Sequence, residues 1–155
     1  MLIIIDLQNW HDIGYYEIKN EEMPKSECLK FFIVDDDPFS RMFYRQYLMN
    51  LGYSDNVMFD NGPDCIQKLN LHPDVIILDY DMSPMNGLEV MRRIKKTNPE
   101  IQFLMISAVD DRKLAGAVIA NGAVDFILKG ERDLELIRKV LGKIVSGAEM
   151  VHAAH

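Results

Sequence analysis

Apolar residues follow two different spacings along the chain. Short, mostly apolar runs, typical of strands buried on both faces of a sheet, occur at residues 29–34, 57–59, 75–78, 101–106 and 124–128. Segments with apolar residues at helical spacing follow these runs at residues 39–51, 64–71, 88–97, 111–120 and 131–145. Five strand–helix units with short connections predict an α/β fold. Right-handed crossovers then place helices on both faces of a parallel sheet.

The regular pattern covers most of the chain but not its ends. Residues 1–27 are acidic in their second half and follow neither spacing, so we interpret them as an N-terminal extension of unknown role. Residues 28–147 form the predicted domain, in which Pro38 begins the first helix and Asn121-Gly122 ends the fourth. We expect residues 148–155 to be a short frayed tail.

Size and charge exclude several classes of function. The 155 residues suffice for one domain with a real core. A formal charge of −7 disfavours nucleic acid as a direct ligand, since phosphate contacts need a basic surface. Cys28 and Cys65 form no metal-binding spacing and no disulfide framework. No apolar run approaches the length of a membrane span. We therefore expect a cytoplasmic protein without membrane contact.

Candidate site residues follow four of the five predicted strands. They are Asp35 and Asp36 after the first strand, Asp79 after the third, Ser107 after the fourth and Lys129 after the fifth. The carboxyl ends of parallel strands form one edge, where α/β proteins bind ligands. Crowded carboxylates need a counter-charge, and an all-oxygen site with few protein ligands suits Mg²⁺.

This constellation fits phosphoryl transfer. A carboxylate can form an acyl-phosphate, while a hard cation, an ammonium group and a hydroxyl stabilise charge on the phosphoryl oxygens. We take Asp79 as the acceptor, because it is central in the sheet and the other groups can flank it. Taken alone, each of these residues has an ordinary structural explanation, such as helix capping or solvation.

The chain resembles the receiver domain of two-component response regulators, in particular the chemotaxis-regulator type. The resemblance covers about residues 29–145 and rests on residues 32–38, on Asp79 with Met82 and Gly87, and on residues 106–108 and 121–129. It implies a doubly wound, flavodoxin-like (βα)₅ sheet with strand order 2-1-3-4-5. It also implies a signalling domain rather than an enzyme, with slow autodephosphorylation.

The resemblance assigns a role to each site residue. Asp79 would be phosphorylated by a histidine kinase or a histidine phosphotransfer protein. Asp36, Asp79 and the backbone carbonyl of Asp81 would bind Mg²⁺, with Asp35 acting through water. Ser107 and Lys129 would hold the phosphoryl group. Ser107 and Phe126 would form a switch that changes a target-binding surface on the fourth helix, fifth strand and fifth helix. A homodimer is compatible with this pattern.

Two departures from the family pattern concern the loops. Ser83 stands where the family usually has proline after Met82, and Gly130 stands where it commonly has a cis proline after its lysine. A cis bond without proline costs about 3–4 kcal/mol. We therefore expect either a trans Lys129–Gly130 bond with Lys129 displaced, or a strained cis bond.

Two other functions remain open from the sequence. A receiver fold could serve as a protein-interaction module without being phosphorylated. Residues 76–83 also resemble the first motif of haloacid-dehalogenase-type phosphatases, in which a second aspartate, here Asp81, is a general acid/base. That family places its acidic pair after the motif rather than before it, which disfavours the phosphatase.

Overall fold

A computed structural model describes residues 29–153 of the chain. Its strands are β1 Phe31–Val34, β2 Asn56–Phe59, β3 Val75–Asp79, β4 Gln102–Ser107 and β5 Asp125–Leu128. Its helices are α1 Pro38–Asn50, α2 Gly62–Gln67, α3 Gly87–Thr97, α4 Arg112–Ala120 and α5 Asp133–Ala153, and a short 3₁₀ helix, Leu69–Leu71, follows α2. The five predicted strand–helix units are therefore confirmed.

The five strands form one parallel sheet in the order β2-β1-β3-β4-β5. This is the predicted flavodoxin-like order. The strands β1 and β3 are adjacent and central, and their residues are buried on both faces. All five strands run the same way, so the residues that follow them emerge at a single edge.

Successive strand residues face two separate apolar layers. On one face, Phe32, Ile76 and Phe103 pack with residues of α2, α3 and α4. On the other, Ile33 and Ile77 pack with residues of α1 and α5. The sheet is therefore covered on both sides, which explains why its central strands are continuous apolar runs.

The fifth helix is longer than predicted. We expected it to end near residue 145 with a frayed tail from residue 148, but α5 continues to Ala153. The segment after Gly147 contains Ala, Glu and Met, which favour helices, and no proline. One glycine disfavours a helix interior by only about 1 kcal/mol, so Gly147 does not end it. The predicted N-terminal extension lies outside the described residues.

Within residues 29–153, the structure has no helix that is both long and apolar enough to cross a membrane.

Candidate functional site

The two central strands deliver three aspartates to the carboxyl edge of the sheet. Val34 of β1 is paired with Leu78 of β3, so Asp35 and Asp79 follow neighbouring positions. Asp35 and Asp79 are 2% and 5% exposed, whereas Asp36 is exposed. One carboxylate oxygen from each of the three lies within 4.8 Å of the others. The sequence prediction that these residues converge is thus confirmed.

The acidic cluster suits a hard divalent cation. Its donors are all carboxylate oxygens, the type that Mg²⁺ prefers, and there are few enough of them to leave room for water ligands. The exposed Asp36 beside two buried carboxylates leaves the cluster open to solvent on one side. The residues present therefore fit Mg²⁺. Asp81, whose carbonyl is a further predicted ligand, lies exposed in the loop after β3.

Lys129 joins the two buried carboxylates. Its Nζ lies 2.8 Å from an Oδ of Asp35 and 2.8 Å from an Oδ of Asp79. The Lys129 backbone N–H donates to the carbonyl of Ser107 at 2.8 Å, which continues the β4–β5 pairing by one residue. Lys129 thus extends to the cluster from the end of the edge strand β5.

The expected displacement of Lys129 is wrong. Within residues 29–153 the one cis peptide bond joins Ser83 to Pro84, so the Lys129–Gly130 bond is trans. Lys129 nevertheless reaches both carboxylates. The physical reason is that its backbone stays paired with Ser107, while the chain turns away one residue later at Gly130, which has a φ of +157°.

Burial and charge alter the proton affinities of the site. Burial raises the pKa of Asp79, and the Asp35 carboxylate raises it further, although the hydrogen bond from Lys129 acts in the opposite direction. Burial alone would lower the pKa of Lys129, but hydrogen bonds to Asp35 and Asp79 outweigh it and the net change is upward. Lys129 is therefore a firmly charged ammonium group at neutral pH.

Ser107 and Phe126 lie next to the site on β4 and β5. Ser107 is fully buried, and its Oγ accepts a hydrogen bond from the Val109 N–H at 3.1 Å. Phe126 is half-buried and packs against the apolar layer formed with α2, α3 and α4. Met105, which belongs to the same layer, is its strand partner. Their roles as a phosphoryl ligand and a switch remain predictions.

The contacts that hold the loops in place were not predicted from the sequence. Arg41 donates from Nη1 to the Asp35 carbonyl at 2.6 Å, and the Asp37 N–H donates to Asp35 Oδ1 at 2.9 Å. Gly87 begins α3 so close to the Asp79 carbonyl that a Cβ at this position would overlap it. The helical spacing places Arg41 one turn after Pro38, facing back toward the loop. That spacing was the only available signal for this contact.

Known proteins share both the sequence pattern and the fold. A family model described as "Response regulator receiver domain" matches residues 31–141. This chain belongs to that family. The receiver domain is 32% identical over 116 residues to the chemotaxis protein CheY of Bacillus subtilis (strain 168), which covers 72% of this chain and 97% of that protein.

Two further comparisons agree with this assignment. CheY of Thermotoga maritima is 31% identical over 115 residues, covering 72% of this receiver domain and 96% of that protein. A solved response regulator receiver protein from Pseudomonas putida has a TM-score of 0.68 at 27% identity, covering 74% of this chain and 96% of that one. Receiver domains are generally signalling domains that bind Mg²⁺ in an acidic pocket. Membership separates this chain from the haloacid-dehalogenase phosphatases.

Proposed function

We propose that this receiver domain accepts a phosphoryl group on Asp79 from a histidine kinase or a histidine phosphotransfer protein. The observation that carries the proposal is the contact of one ammonium group, Lys129 Nζ, with two buried carboxylates in a cluster of three. A purely structural ion pair would not require the third, exposed carboxylate of Asp36. It also would not require the cluster to face solvent.

Each side chain contributes to the transfer in a definite way. An oxygen of Asp79 attacks phosphorus, the bond between phosphorus and the histidine nitrogen breaks, and the histidine leaves with the bond's electrons. Lys129 then neutralises charge that develops on the phosphoryl oxygens. The Ser107 Oγ accepts from Val109, so its own proton can be donated to another phosphoryl oxygen.

Mg²⁺ would be held by Asp36, Asp79 and the carbonyl of Asp81, with Asp35 acting through water. When bound, it supplies positive charge that neutralises the phosphoryl oxygens. The fit of the three carboxylates to a hard cation supports this assignment. Cooperation of Lys129 with a cation also accounts for the burial of two carboxylates so close together.

The output surface is proposed on α4, β5 and α5. Ile119 and Leu128 are 45% and 41% exposed there, although both are apolar. Leu128 connects this face to Ser107 through the β4–β5 pairing, since these two residues are paired, and Phe126 lies two residues before Leu128 on the same strand. Movement of Ser107 toward a phosphoryl group would therefore be transmitted to residues that a protein target can contact.

Phosphorylation is tested with a small phosphodonor. The protein is incubated with Mg²⁺ and acetyl phosphate, and its intact mass is followed. We expect a transient gain of one phosphoryl group that is absent in Asp79→Asn. Asp60→Asn is the matched control, because Asp60 also follows a strand of this edge but is exposed and outside the cluster.

The other outcomes separate the alternatives. If the wild-type protein gains no phosphoryl group, the proposal fails and a receiver-like interaction module is favoured. Sustained turnover of a phosphoester, rather than one transient modification, would favour phosphatase chemistry. Equal loss of phosphorylation in Asp79→Asn and Asp60→Asn would remove the special role of Asp79.

A further inference from the structure

A buried hydrogen bond joins α1 to the start of α5. The hydroxyl of Tyr44 donates to Asp133 Oδ2 at 2.9 Å. Tyr44 is 3% exposed and Asp133 is 6% exposed. Among the described residues, Asp133 is one of four buried polar or charged residues, and the other three, Asp35, Asp79 and Ser107, belong to the functional site. A buried carboxylate requires hydrogen-bond partners, since an unpaired one is strongly destabilising.

Asp133 also closes the turn that follows Lys129. Its backbone N–H donates to the Gly130 carbonyl at 3.3 Å, and its Oδ2 lies 3.5 Å from the Gly130 nitrogen. Its Oδ1 accepts from the Leu134 N–H at 2.7 Å. The side chain therefore connects the first turn of α5, the glycine after Lys129 and, through Tyr44, the helix α1.

The turn after Lys129 needs these hydrogen bonds because its next residue, Gly130, is a glycine. Glycine restricts the backbone less than any other residue, and a Cβ at Gly130 would have no atom within 4 Å to support it. The ammonium group of Lys129 is nevertheless held at 2.8 Å from both carboxylates. The backbone bond to Ser107 fixes Lys129 on one side only, so the other side depends on the segment Gly130–Asp133.

The hydroxyl of Tyr44 keeps its proton. Burial raises the pKa of Tyr44 well above its ordinary value, and the carboxylate of Asp133 raises it further. The phenol therefore stays protonated at neutral pH and can donate to Asp133. Tyr44 belongs to the same helix as Arg41, which holds the Asp35 carbonyl. One helix thus supports two of the three loops that meet at the cluster, the loop after β1 and the loop after β5.

We infer that Tyr44 and Asp133 are positioning residues that hold Lys129 between Asp35 and Asp79. This inference rests on the proposed function, in which Lys129 stabilises the phosphoryl group accepted by Asp79. Neither residue touches that group. They act by fixing the turn after Lys129, and their loss lets the ammonium group leave its position.

The test compares two tyrosines of α1. Tyr44→Phe removes the hydroxyl that binds Asp133. Tyr47→Phe is the matched control, because its hydroxyl donates at 2.8 Å to the backbone carbonyl of Leu134 in the same helix α5. The rate of phosphorylation by acetyl phosphate with Mg²⁺ is measured for both. We expect Tyr44→Phe to be slower by about threefold to tenfold and Tyr47→Phe to be unchanged within about twofold.

A double-mutant cycle with Lys129→Met shows whether the effect passes through Lys129. If Tyr44 acts by positioning the ammonium group, Tyr44→Phe has no further effect once that group is absent. The conservative change Asp133→Asn keeps an acceptor oxygen and should retain most of the rate, whereas Asp133→Ala should behave like Tyr44→Phe. Equal slowing by Tyr44→Phe in the presence and absence of Lys129, or equal slowing by both tyrosine variants, would overturn the inference.

A second measurement does not depend on phosphorylation. The NMR signal of the Lys129 ammonium group, assigned by its loss in Lys129→Met, reports the contact with the two carboxylates. Tyr44→Phe should shift or broaden this signal, and Tyr47→Phe should not. An unchanged signal in Tyr44→Phe contradicts the positioning role. Lack of phosphorylation in the wild type, with the expected NMR change, contradicts only the proposed function.

Discussion

At the scale of single residues, the site is dominated by the repulsion between neighbouring carboxylates. Asp35, Asp36 and Asp79 bring three carboxylates together, and within the described residues Lys129 is the cation that contacts two of them. Two of the three carboxylates are buried, where repulsion is weakly screened. The three carboxylates thus favour the binding of positive charge over the greatest stability of the domain without a cation.

Asp79→Asn should therefore stabilise the protein in the absence of metal. Burial, with a contribution from Asp35, raises the folded-state pKa of Asp79 above its ordinary value. The protonated form is then favoured by folding, and stability is lost as the pH rises through the folded-state pKa. At pH 7 the variant lacks this penalty. Its Tm in EDTA should rise by a few degrees, the shift that about 1 kcal/mol produces in a domain of this size.

The pH dependence provides the control for this prediction. The advantage of Asp79→Asn over wild type should shrink as the pH falls toward the ordinary carboxyl range, because Asp79 is then protonated in both states. Asp60→Asn, at an exposed aspartate outside the cluster, should leave Tm unchanged. A lower Tm for Asp79→Asn at pH 7 in EDTA would show that the pairing with Lys129 outweighs burial and repulsion.

At the scale of elements, the start of α3 fixes the loop that follows Asp79 at the end of β3. The Gly87 N–H donates to the Tyr80 carbonyl at 2.9 Å, and Asn86 caps the helix through a bond to the Glu89 N–H at 3.0 Å. A Cβ on Gly87 would overlap the Asp79 carbonyl and would lie 2.8 Å from Met105 Sδ. The close approach of the helix to the backbone of Asp79 therefore requires glycine.

Gly87→Ala should destabilise the domain, because the added methyl must push against the backbone of Asp79. We expect a loss of about 1–3 kcal/mol in the free energy of unfolding. Gly116→Ala in α4 is the matched control, since a Cβ there meets nothing within 4 Å. It should stabilise the domain by about 0.5–1 kcal/mol. Denaturant titration measures both, and changes of the same sign would contradict the close-approach argument.

The elements themselves were largely predictable from the sequence. Apolar runs such as residues 75–78 identify buried strands, and Pro38 with Asp37 identifies the start of α1. The predicted end of α5 was wrong because the sequence near residue 145 contains no proline or other strong signal for a helix end. The single glycine at position 147 was not sufficient to end the helix. The second helix divides into α2 and a 3₁₀ turn, a detail that helical spacing alone cannot specify.

At the scale of the whole molecule, the parallel arrangement brings distant residues together. Asp35, Asp79 and Lys129 were predictable as a group because each follows a strand, and all strand ends share one edge. The contact of Tyr44 with Asp133 was not predictable. It joins positions 89 residues apart on two helices, and neither helix pattern specifies its neighbour. The contacts that hold the site residues in place are thus harder to predict from the sequence than the site residues themselves.

We propose that Asp79 receives the phosphoryl group, and chemical trapping of the modified residue can locate that group on a single side chain. The protein is treated with acetyl phosphate and Mg²⁺, and borohydride then reduces the acyl-phosphate to homoserine, which peptide mass spectrometry locates. We expect homoserine at position 79 and its absence when Mg²⁺ is withheld. Reduction at Asp35, Asp36 or Asp81 instead, or a stable phosphate on Ser107, would contradict it.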